Sequence, residues 1–147
     1  MKKFDEYKDI EEKLRQLVLH GFHIPRKDMP QIRSDLVPKY LDFLKEQGIT
    51  HTKKSIQVGK LKSTQGELDI QKVIPMMDKD NSANSKPIIV SNDNFVLDGH
   101  HRFAALYCKD ETLTMNCIVI NVKIQDLLNI TKEFDQVFFK GLTEEIA

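Results

Sequence analysis

Three residues with chemical potential stand together in the stretch NFVLDGHHRFAALY, residues 94–107. An apolar, strand-like run from Phe95 to Leu97 stops at Asp98-Gly99. His100, His101 and Arg102 follow, and then a small apolar helix to about Cys108. A helix start carries partial positive charge and N–H groups with no partner in the helix. Stacking cations there costs energy unless something negative arrives. Gly99 lets the backbone turn sharply and lets a ligand come close. Arg102 offers a planar fork of donors matched to phosphate oxygens, and His100 and His101 add donors, charge or proton transfer near neutral pH. Strand, Asp-Gly, His-His-Arg and helix together describe a phosphate cradle.

Asp98 would repel a phosphate in direct contact, but a bridging Mg²⁺ ion held by Asp98 removes the conflict, as does a role in orienting a histidine. Structural uses compete at each position: Asp98 as a helix cap, Gly99 as a plain turn residue, Arg102 as an ion-pair partner. Adjacent histidines cannot both point the same way, so at least one of the pair is expected to be structural. A zinc site is disfavoured, because no Cys or third His lies at ligand spacing.

The elements that must position these residues can be read outward from the motif. KPIIVSNDNFVLDG has the grammar of a hairpin, with strands over 87–91 and 94–98 and a turn at Asn92-Asp93. Residues 115–122 are apolar at both parities and predict a strand covered on both faces. Ser55–Val58 alternates as a short strand and leads into GKLKSTQGELD. There Ser63, Thr64, Gln65 and Glu67 are candidates for contacts to phosphate, ribose or base, or equally for turn and capping bonds. Asp69 can cap a short helix whose length Pro75 puts in question. Upstream, a helix over 4–20 shows an apolar stripe through Ile10, Leu14 and Leu17 and stops at Gly21. A second helix over 36–47 has Pro38 in its first turn and Gly48 at its end. One or two helices over 125–139 should turn Leu127, Leu128, Phe134, Val137 and Phe138 inward. The resulting expectation is an α/β (α+β) fold, a small mixed sheet with flanking helices, divided into an N-terminal helical extension, residues 1–50, and a domain over 51–147.

The segment KPIIVSNDNFVLDGHHRFAALY resembles the signature of the ParB/sulfiredoxin superfamily, in which a strand–Gly–x–x–Arg–helix element binds nucleotide phosphates. The LDGHHR spelling is closest to free serine kinases and to small ParB-like proteins common in phages. VGKLKSTQGELDIQKV resembles the preceding family element, and the resemblance covers roughly residues 55–122. It implies a nucleotide ligand, ATP or another nucleoside triphosphate with Mg²⁺, bound by Thr64, Gln65, Gly99, His100, His101 and Arg102.

The chain departs from each branch of that superfamily. Sulfiredoxins carry a cysteine where His100 stands, so sulfinic-acid reduction is excluded. The serine kinases carry a catalytic glutamate where Gln65 stands, and an amide is no base; Glu67, two residues on, is the candidate substitute. ParB proteins spell Glu-Arg-Arg where this chain has His-His-Arg, so their cytidine specificity is not carried over. Their helix-turn-helix domain has no room in the rest of the chain.

Three functions compete. The first is hydrolysis of a nucleoside triphosphate or phosphoryl transfer to a small hydroxyl acceptor, with Glu67, Asp98 and His100 as catalytic candidates. The second is a non-catalytic module that binds nucleotide or nucleic acid. The third is a nuclease, which needs more converging acids than Asp98 alone. Net charge is zero, but residues 1–62 carry 14 Lys plus Arg against 9 acids, and the remainder 8 against 13. Lys53, Lys54, Lys60 and Lys62, with His51, are therefore the candidate nucleic-acid track. The apolar runs are too short to span a bilayer, no secretory leader is read at the start, and two cysteines without metal-type spacing fit reduced thiols. The expected location is the cytoplasm, a host's if the chain is phage-encoded, with no membrane partner and with room for a homo-oligomer.

Overall fold

A computed structural model describes residues 4–78 and 86–139. Five strands form one mixed sheet: β1 (His51–Gln57), β2 (Lys62–Ser63), β3 (Ile88–Ser91), β4 (Phe95–Asp98) and β5 (Thr114–Ile120). Their spatial order is β1-β5-β3-β4-β2. β1 runs antiparallel to β5, β5 parallel to β3, β3 antiparallel to β4, and β4 parallel to β2. The helices are α1 (Phe4–Leu19), α2 (Val37–Glu46), α3 (Ile70–Asp78), α4 (His100–Lys109) and α5 (Ile124–Thr131). The α+β class expected from the sequence is the one observed.

Strand parity sorts the core into two layers. Ile88, Val90, Val96, Met115 and Cys117 face one side, where α1, α3 and α4 bury Leu14, Val73 and Phe103 against them. Ile89, Leu97, Ile118 and Ile120 face the other, under Tyr40 and Leu44 of α2 and Leu127 and Leu128 of α5. The double-sided apolar pattern of β5 is explained by these two coverings. The first fifty residues take part in both cores, through Ile10, Leu14 and Leu17 on one side and Met29, Ile32 and Tyr40 on the other. Burying such a side chain is worth about 1.5–3 kcal/mol. The Tyr40 hydroxyl, sealed in the second core, shares a 2.7 Å hydrogen bond with Thr131 Oγ1, and burial raises its pKa.

Local chemistry sets the joints. Asn94 N–H closes the hairpin turn onto Ser91 O at 3.1 Å, and Asn94 takes the left-handed φ of 69°. Asp93, at the tip of that turn, accepts from Ser91 Oγ and from the Ile124 N–H at 3.1 Å, so the hairpin also caps α5. Asp69 Oδ1 accepts from Gln71 N–H at 2.9 Å and starts α3, which runs through Pro75. α5 is a single helix ending at Thr131; the chain then continues in turns that bury Phe134, and Phe138 exchanges backbone bonds with Gln31.

Three elements differ from the sequence reading. β1 begins four residues before the expected Ser55, because its polar start, HTKK, is held by the β5 ladder and carries no apolar alternation of its own. Val58–Lys60 forms a 3-10 turn rather than the strand's end. β2 is two residues long, too short for a periodic signal. No helix among the described residues is long and apolar enough to cross a membrane.

Cys108 and Cys117 are buried, and burial pushes each thiol up to about 11. A raised folded-state pKa favours the protonated thiol. Stability should therefore be unaffected below about pH 9 and fall as pH rises from about 9 towards 11, where only the unfolded thiols ionise. Iodoacetamide at pH 8 should label neither cysteine in the native chain and both in denaturant; fast native labelling would contradict the burial.

Candidate functional site

The end of β4 delivers the chain to Gly99, which caps α4 in the left-handed region with φ 98° and ψ 26°. A Cβ there would collide with Ile88 Cγ2 and stand 3.0 Å from Arg102 Nη2. Only glycine fits the turn, and it has no side chain with which to cap the helix. The Arg102 guanidinium thus lies folded back over the helix start. Its Nη1 donates to Lys86 O at 2.8 Å. Burial lowers the Arg102 pKa and the neighbouring Asp98 carboxylate opposes that shift.

Both histidines take structural roles, which the sequence reading expected of at least one. Nε2 of His100 accepts from the backbone N–H of Thr64, at 3.1 Å, and of Gln65, at 3.2 Å. Nε2 of His101 accepts from the N–H of Asp69 at 3.0 Å. An imidazole nitrogen that accepts carries no proton, so neither ring is a cation in this arrangement. The cost of placing three cations at a helix start is removed: Arg102 is the one cation of the three. In this conformation the Nε2 of each ring is an acceptor rather than a phosphate donor, and His100, 5% exposed, is sealed between α4 and the loop.

That loop, residues 63–69, is held from both sides. Opposite α4, residues 22–24 run beside it: Phe22 N–H donates to Ser63 O, Ile24 N–H to Thr64 O, and Gly66 N–H to Ile24 O, at 3.2, 3.1 and 2.6 Å. The approach is close enough that a Cβ on Gly66 would strike the His23 backbone, and one on Gly21 would strike Ser63 O. Ser63 Oγ donates to Gln65 O at 2.8 Å, and the Gln65 amide donates to Glu67 O. Ser63, Thr64 and Gln65 are almost wholly buried, and Thr64 Oγ1 has no hydrogen-bond partner among the described residues. Ser63 and Gln65 thus make the turn bonds that the sequence left open beside ligand contacts, and in this conformation the Thr64 and Gln65 side chains are buried.

Glu67 is exposed. It lines an open groove of about 350 Å³ with Glu11, Leu14, Arg15 and Val18 of α1, and none of residues 98–102 lines that groove. Among the described residues no three His, Cys, Asp or Glu side chains converge on a metal position. Asp98 as a Mg²⁺ ligand is still chemically consistent, since that ion commonly takes one or two carboxylates and completes its shell with phosphate oxygens and water. The four lysines of the candidate track fall in three consecutive elements. Lys53 and Lys54 lie in β1 at one edge, Lys62 lies in β2 at the other, and Lys60 lies in the turn between them.

No protein-family model matches the chain, and comparisons with curated proteins and with solved structures return no match. The rule that adjacent histidines point differently anticipates one structural ring and not that both bond the 63–69 loop. Which nitrogen of each ring accepts depends on the position of the loop, which no local pattern encodes.

Replacing His100 with Ala should leave two buried N–H groups without an acceptor. At about 1–3 kcal/mol for each unsatisfied donor, urea unfolding should show a loss of about 2–6 kcal/mol; a loss below 0.5 kcal/mol would contradict the clasp. Gln65→Glu should also destabilise, by roughly 1–3 kcal/mol, because it replaces an amide donor with an acceptor facing the Glu67 carbonyl. Wild-type stability in that variant would contradict the buried loop.

Proposed function

We propose that the chain binds the phosphates of a nucleoside triphosphate at the start of α4, as a ParB/sulfiredoxin-like nucleotide-binding protein. The observation that carries this reading is the position of Arg102, whose guanidinium lies over Gly99 at the same helix end as the first-turn N–H groups. Among the described residues one of its five donors is used, by Lys86 O, which leaves the fork donors for phosphate oxygens. The resemblance of residues 55–122 to that superfamily supports the same ligand. In this reading His100 and His101 are positioning residues, which fix the 63–69 loop beside the cradle.

Catalysis is a second reading, favoured by Asp98 lying beside Arg102 at the end of β4. Mg²⁺, when bound with the nucleotide, would neutralise charge on the phosphates, and Asp98 is the residue to hold it. Hydrolysis or transfer to a small hydroxyl acceptor would then need a base. Gln65 is turned inward and chemically unsuitable, which leaves Glu67 as the exposed carboxylate of the loop. Nucleic-acid binding is a third reading, in which Lys53 and Lys54 of β1, Lys60 of the following turn and Lys62 of β2 contact the phosphate backbone.

Calorimetric titration with ATP, GTP, CTP and UTP, with and without Mg²⁺, tests the binding. At least one triphosphate should bind, and Arg102→Ala should weaken it by about 1.5–3 kcal/mol, roughly 10- to 150-fold, while the fold survives. Absence of binding by every triphosphate would overturn the reading, and unfolding of the variant would make Arg102 structural. Glu67→Gln separates the two readings. Loss of phosphate release at unchanged affinity would identify the base, whereas a wild type that turns over no nucleotide with or without acceptors would leave binding alone.

A further inference from the structure

The chain treats the two edges of its sheet differently. Beyond β2, residues 22–24 cover the edge through the bonds to Ser63, Thr64 and Gly66 described above. Beyond β1 no described residue does so. The parity of β1 follows from the bonds flanking it: Asn121 N–H donates to Thr50 O at 2.9 Å, and Val58 N–H donates to Leu113 O at 2.8 Å. Pairing in this antiparallel ladder alternates, so the even-numbered residues of β1 direct their backbone groups to β5. Those of His51, Lys53, Ser55 and Gln57 point away from the sheet, and no described residue bonds them. The strand is bare on its faces as well, with His51 to Ser55 exposed and Ile56 alone half-buried.

A seven-residue strand with an open edge is a template for one more strand. Charge decides which. Lys53 and Lys54 are adjacent and lie on opposite faces of β1, and both are exposed. A second copy paired antiparallel about Lys53 or Lys54 would bring lysine against lysine, which is destabilising. An acidic strand would meet opposite charge on each face.

We propose that the free edge of β1 takes an extended acidic peptide segment of a partner protein as a sixth strand. Main-chain hydrogen bonds to His51, Lys53, Ser55 and Gln57 hold the peptide, and Lys53 and Lys54 select for glutamate or aspartate. This surface is separate from the start of α4, since β5 and β3 lie between β1 and β4.

The test uses the full chain and a fluorescein-labelled nine-residue peptide of Thr, Val and Glu with adjacent central glutamates. Anisotropy should show saturable binding, weakened at least tenfold by Lys53→Glu with Lys54→Glu. N-methylation of alternate peptide amides, in the register that faces β1, should weaken it as much, while the other register leaves it intact. Hydrogen exchange should slow at the amides of His51, Lys53, Ser55 and Gln57. Absence of binding at millimolar peptide would overturn the proposal. So would equal binding of both N-methylated registers, equal binding of a peptide with Lys for Glu, tighter binding of single-stranded DNA at the same residues, or self-association that protects those amides.

Discussion

One imidazole nitrogen joins the two halves of the candidate site. Nε2 of His100 is shared between the N–H groups of Thr64 and Gln65, and it is the point at which the 63–69 loop is fixed to the start of α4. His101 repeats the contact one turn further along the loop, at Asp69, where α3 begins. The side chains nearest the helix start therefore spend their acceptors on backbone donors that would otherwise be buried and unpaired. The same choice settles the electrostatics, because an accepting imidazole is neutral and leaves Arg102 as the one cation of the three beside the positive end of the helix.

The clasp is effective because both of its partners are held independently. The loop is backed by residues 22–24, and these are fixed by α1, whose Leu14 and Leu17 lie in the core beneath α4. Gly21 and Gly66 permit the close passage of the two segments. The first fifty residues thus do more than precede the sheet. α1 shares the α4 face of the sheet and carries the segment that backs the loop, and α2, through Tyr40 and Leu44, closes the opposite face with α5. Phe22 packs on Phe95 at 4.7 Å between ring centroids and ties this backing to β4, the strand that ends at Asp98.

Much of this was legible in the sequence because it depends on local patterns. Gly21 and Gly48 mark the ends of α1 and α2 within a residue or two, Asn92-Asp93 marks the hairpin turn, and Asp98-Gly99 marks the passage from β4 to α4. What was not legible depends on contacts distant in sequence. The polar start of β1 is a strand because β5 lies beside it. The lysines of residues 53–62 are close in sequence yet reach opposite sheet edges, because strand order is a property of the whole chain. His100 was legible as a special residue but its role was not, since the residue type leaves open whether a ring nitrogen donates or accepts. Gln65 stands where a kinase-like reading wants a base, and its buried amide shows the position used for holding the loop.

The state of His100 can be read directly by long-range ¹H–¹⁵N NMR on the ¹⁵N-labelled chain. If the ring clasps the loop, His100 is neutral at pH 7 with its proton on Nδ1. Its Nε2 then shows the shift of an unprotonated acceptor, with scalar couplings across the hydrogen bonds to the amides of Thr64 and Gln65. A proton on Nε2, whether from the other tautomer or from an imidazolium, would contradict the clasp and return the histidine to the set of donors facing a ligand.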